Sequence, residues 1–114
     1  MNTHNSPAPD LTALRDQVAI CATECANAAE RAQDSHLQTR LGSLARQVDA
    51  MKIRIEAHMD GGGTVTSSVV ASLMQEAGAA ASAMKGATGD DNLYQAMPVM
   101  QRLCGDILKA LPAP

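Results

Sequence analysis

From Leu11 onward the apolar residues recur at alternating steps of three and four: Leu11, Leu14, Val18, Cys21, Cys25, Ala28 and Ala32. Residues so spaced fall on one stripe of an α-helix, so the pattern predicts a first helix from about Leu11 to Gln33. Asp10 stands just before the stripe as a natural N-cap. A second stripe, Leu37, Leu41, Leu44, Val48, Met51, Ile55 and His58, follows Asp34 or Ser35 as its cap and stops at Gly61-Gly62-Gly63. Thr64 or Thr66 can cap a third, carrying Val70, Leu73, Ala77, Ala80 and Met84. After a turn over Gly86 to Asp91, a fourth runs through Leu93, Met97, Met100, Cys104, Ile107 and Leu111. Pro98 lies within that last stripe, and its missing N–H predicts a kink or a restart there; the unbroken phase of the stripe favours one bent helix.

Four helices of roughly twenty residues, each about 30 Å long, joined by short turns, predict an all-α fold. The simplest packing is an antiparallel up-down-up-down four-helix bundle over residues 10–112. Residues 1–9 are polar and hold two prolines, as expected of a disordered leader.

Composition narrows what fills the core. Among 114 residues there is no Phe, no Trp and one Tyr, so Ala, Leu, Val, Ile and Met must do the packing. A chain of this length holds one domain. The net charge of -3 and nine scattered Lys and Arg give no electrostatic reason to bind nucleic acid or an anionic membrane. There is no signal-peptide pattern at the start and no uncharged apolar run long enough to span a bilayer, so a soluble, cytoplasmic protein with reduced thiols is expected.

Charge is unevenly spread. In the third helix only Glu76 and the terminal Lys85 are charged. A helix surface that avoids charge often meets something other than water, which predicts a homo-oligomer, a homodimer in the simplest case, with Val69, Met74 and Ala81 as the contact. A small-residue exterior on an Ala-rich helix explains the same pattern.

The candidate chemistry centres on the thiols. Cys21 and Cys25 lie four residues apart on one helix face, about 6 Å along the axis. If the fourth helix runs antiparallel to the first, Cys104 comes near the level of Cys21, where the two could meet across the core, with Cys25 one turn further off. Three inward thiolates suit copper(I), or zinc with His58 as a fourth ligand, making Cys21, Cys25, Cys104 and His58 the candidate metal set. The competing reading is that buried cysteines act as small core residues and need no cofactor.

Other constellations are weaker. Two-iron bundles place a Glu on two helices and Glu-x-x-His on two more, and that pattern is missing: Glu56-Ala57-His58 has the wrong spacing, while Glu24, Glu30 and Glu76 flank the stripes. Gly61-Gly62-Gly63-Thr64 precedes a helix but lacks the strand and the Gly-Lys-Ser/Thr of a phosphate loop. The methionines, which could suggest thioether copper ligation, lie mostly on the stripes and suit core filling. No nucleophile is spaced with a general base, so a non-enzymatic protein is expected.

The stretch Ala28-Ala29-Glu30-Arg31-Ala32-Gln33-Asp34, then Leu37, Leu41 and Leu44-Ala45, resembles a family of small bacterial ferritin-like bundles related to the YciE and YciF stress proteins. Gly62-Gly63-Thr64, Ser67-Ser68, Met84-Lys85 and Gly89-Asp90-Asp91 are similar too. The resemblance implies a ferritin-like architecture and a stress-related role of uncharacterised kind, although the family's His and Trp on the third helix and Gly-Glu pair on the fourth are not matched. Cys21-x-x-x-Cys25 is also similar to the pairs of cysteine-lined copper-storage bundles, which implies copper as the metal.

Overall fold

A computed structural model describes residues 10–59 and 65–112. The expected leader at 1–9 and the Gly61-Gly62-Gly63-Thr64 run lie outside the described residues. Four helices account for nearly all the rest: α1 (Thr12–Arg31), α2 (Ser35–Met59), α3 (Ser67–Gly86) and α4 (Asp90–Ala110). They match the four apolar stripes.

Each helix start has a local cause. The Asp10 carboxylate accepts the Thr12 N–H at 2.9 Å, ahead of α1. Asp34, rather than Ser35, caps α2 by accepting the Leu37 N–H at 3.1 Å. Thr66 caps α3 by accepting the Val69 N–H at 3.2 Å. Before α4 stands Gly89 at φ 84, a left-handed conformation that costs glycine little and any other residue more. Pro98 leaves α4 unbroken because it lies on the exposed face, where the carbonyl it fails to serve can turn to water.

The stripes form one core. Leu14, Val18, Cys21, Cys25 and Ala28 of α1 are fully buried, as are Leu37, Leu41, Val48 and Ile55 of α2. Ala77 and Met84 of α3, with Met100, Leu103 and Ile107 of α4, complete the same cluster. No polar or charged residue is buried among the described residues.

Neighbour relations differ from chain order. Helix α1 packs against α2 and α3, and α4 packs against α3 and α2, so α1 faces α4, and α2 faces α3, across the diagonals. Contacts at the ends fix which ends meet. Arg31, closing α1, donates to the Met84 and Ala87 carbonyls that close α3, at 2.9 and 3.4 Å. At the same end the Asp90 carboxylate, opening α4, accepts the N–H groups of Gln33 and Asp34, both at 2.9 Å. At the opposite end Arg54 of α2 donates to the Leu111 carbonyl beyond α4 at 2.8 Å.

Candidate functional site

The thiols occupy the middle of the bundle. Cys21 and Cys25 are fully buried and Cys104 nearly so, and all three are free. The Cys21 thiol donates to the Ala77 carbonyl of α3 at 3.3 Å. Such an approach requires small residues between α1 and α3, and the buried Ala28, Ala77, Ala80 and Ala81 supply them.

Burial pushes Cys21 up to about 12, with the charge of Cys104 adding to it. Burial likewise pushes Cys25 up to about 12, reinforced by Cys21 and Cys104. Cys104 is raised for the same first reason, burial. The three therefore sit close enough to oppose one another's ionisation, in a core that keeps them protonated.

Metal ligation asks for the opposite, thiolates converging on one point. Among the described residues no three His, Cys, Asp or Glu side chains are grouped closely enough to hold a metal ion. His58 is not beside the thiols: its Nε2 lies 2.9 Å from the Pro112 carbonyl, at the end of the bundle where α2 stops. The structure thus brings Cys21, Cys25 and Cys104 near one another and places His58 apart from them.

The expected contact on α3 is partly corrected. Ala81 is buried, 7 % exposed, because it lies on the side of α3 turned to α1, so it cannot meet a second molecule. Met74 is half-buried and packs against the core. Val69 alone of the three is exposed. It lies seven residues before Glu76 and thus on the same stripe of α3.

That stripe borders a groove of about 390 Å³ between α3 and α4, lined by Glu76, Ala79, Pro98, Val99, Arg102 and Asp106. A second hollow continues it past Val99 over Ala83, Gly86 and Ala96. Inside the groove the Glu76 carboxyl of α3 faces Asp106 on α4. Burial is the first cause that raises Glu76, the hydrogen bond and charge of Asp106 follow, and Arg102 pulls the other way. Glu76 Oε1 is itself buried with no hydrogen-bond partner.

Two further groups were not singled out by spacing. Tyr94 donates its hydroxyl to Asp34 at 3.2 Å and holds Arg40 over its ring at 5.7 Å. Burial, then the hydrogen bond to Asp34, raises its phenol above the ordinary value. Asp90 and Asp34 thus act together at one end of the bundle, as acceptors for backbone and phenol donors. The arrangement holds helices; it sets no base beside a nucleophile.

Among the described residues no helix is long and apolar enough to cross a membrane. Comparison with protein-family models, with curated proteins and with solved structures finds no match to this chain.

Proposed function

We propose that this chain is a non-enzymatic four-helix bundle that acts by associating with itself, with the helices alternating up, down, up and down. The end contacts support the antiparallel order, since the ends of α1 and α3 meet at one end of the bundle while α2 ends beside the end of α4. A ferritin-like architecture has less support. Ferritin-like bundles carry a long crossover, whereas seven residues, 60–66, separate α2 from α3.

The observation that carries self-association is the α3–α4 groove: it combines exposed Val99 with a charge-poor helix and a Glu76 carboxyl oxygen that is buried without a partner. A surface of that kind gains by covering its apolar part and by receiving a cation. Light scattering of the full chain at micromolar concentration tests it. A mass of twice the monomer or more is expected, and a strict monomer up to the highest soluble concentration overturns it.

The rival reading is a soft-metal binder on Cys21, Cys25 and Cys104, favoured by the mutual closeness of the thiols. It requires the core to reorganise around the ion. Titration with copper(I) or zinc distinguishes the two: thiols that stay as slow toward a thiol reagent with metal as without it, and no bound metal after gel filtration, leave the association reading standing.

A further inference from the structure

Resting on the self-association just described, we propose that the occupant of the α3–α4 groove is a second copy of this chain, bound about a two-fold axis that passes between Arg102 and Asp106 of α4.

The groove has the charge pattern that such a pairing needs. Arg102 and Asp106 lie four residues apart on the exposed side of α4, and both line the groove. Two copies of one helix laid antiparallel about a point midway between them bring each Arg102 opposite Asp106 of the other copy, since a closed two-fold contact pairs residue i with j and j with i. The pair is therefore self-complementary in charge.

Within one copy that charge makes no close ion pair, although Arg102 opposes the upward shift of the neighbouring Glu76. Among the described residues the ion pairs within 4 Å are Arg15–Asp16 and Asp49–Lys52, so Arg102 takes part in none. Across the groove from Arg102, on α3, Glu76 Oε1 is buried without a hydrogen-bond partner, and it faces Asp106. A guanidinium entering from a second copy supplies donors to both carboxyls in a partly desolvated site, where a bidentate Arg contact is strongest.

In the same register Val99, 38 % exposed, stands opposite Lys109 of the other copy, whose methylene stem can cover it. Ala79 and Ala83 of α3 leave the surface beside the groove shallow. Small side chains there let two helices approach without side-chain clash.

Charge reversal in pairs tests the axis on the full-length chain, with circular dichroism confirming that each variant is folded. Arg102→Glu makes the contact acidic against acidic, and Asp106→Arg makes it basic against basic. Each variant alone should weaken the dimer dissociation constant by at least about tenfold, because like charges then stand opposite each other. Mixed one to one, the two variants should form a heterodimer. The new acidic side chain of the Arg102→Glu copy then faces the new basic side chain of the Asp106→Arg copy, and the unchanged Arg102 faces the unchanged Asp106. Sedimentation equilibrium reads all three samples. Wild-type protein that is only monomeric removes self-association altogether. A wild-type dimer that both single variants leave unchanged, or two weakened variants that fail to recover on mixing, removes this face and axis while leaving association through another surface.

Discussion

The Cys21 thiol lies 3.3 Å from the Ala77 carbonyl, a side chain of α1 bonded to the backbone in the middle of α3. Only short side chains allow that distance, and it explains cysteine at position 21 without a cofactor. The residue fills a gap between two helices that approach closely, and its S–H satisfies part of a carbonyl. Cys21→Leu should therefore destabilise the fold by about 1–3 kcal/mol through overpacking, whereas Cys21→Ala should cost about 1 kcal/mol. Urea unfolding midpoints of the two variants check the order; a leucine variant as stable as wild type contradicts the close approach.

The same burial gives a pH dependence. A thiol raised from 9.0 to about 12 in the folded chain ionises first in the unfolded chain, so the folded form retains more protons above pH 9. Stability contributed by Cys21 and Cys25 is fully present below the unfolded value and is lost as pH rises toward 12. Thermal midpoints should thus fall more steeply between about pH 9 and 12 in wild type than in a Cys21→Ala, Cys25→Ala double variant. Below pH 8 a thiol reagent should label the folded protein at the rate of unfolding.

The helices and the core were legible because both follow from spacing within one segment. Leu14, Val18, Leu41, Val48, Leu73, Met100 and Ile107 all lie on stripes that can be read along the chain, and all are buried. Ala81 and Leu103 show where spacing stops being enough. Each helix has two neighbours, so its buried face is wider than one stripe, and which flank is covered depends on the partner helix. The pairing of α1 with α3 was equally hidden, because it depends on contacts such as Arg31 with Met84, more than fifty positions apart. The cysteines were placed correctly in the core, but whether they converge is a matter of rotation between helices, which periodicity does not report.

Asp90 ties the turn between α1 and α2 to the start of α4 with two hydrogen bonds of 2.9 Å. It also places negative charge in the first turn of α4, where the helix dipole favours it. Asp90→Ala should cost about 1–2 kcal/mol and expose the N–H groups of Gln33 and Asp34. Hydrogen exchange resolves the two effects: both amides should lose protection far more than those in the middle of α1.

Arg31 and Arg54 close helices other than their own, at opposite ends of the bundle. Their guanidinium groups donate to the carbonyls of Met84, Ala87 and Leu111 at or just beyond the C-terminal ends of α3 and α4. Arg31→Ala and Arg54→Ala should each lower stability by about 1 kcal/mol, and their effects should add because the sites lie far apart. Double-variant unfolding measures this; a large departure from additivity would show that the two ends are coupled through the core.

Glu76 turns the groove into a source of pH sensitivity within one copy. Its carboxyl is raised by burial first and by Asp106 second, with Arg102 opposing both. A carboxyl raised on folding binds its proton more tightly in the native state, so its stabilising share is present at low pH and is lost as pH climbs through the raised value. Once ionised, Glu76 opposes folding. Glu76→Gln removes one charge and lets an amide N–H donate to Asp106, so the variant should melt higher than wild type at pH 7 and equal to it, or lower, near pH 4. Thermal melts at dilute protein, where association is negligible, isolate this effect. A wild type and variant that differ by the same amount at both pH values would mean that the Glu76 carboxyl is not raised on folding.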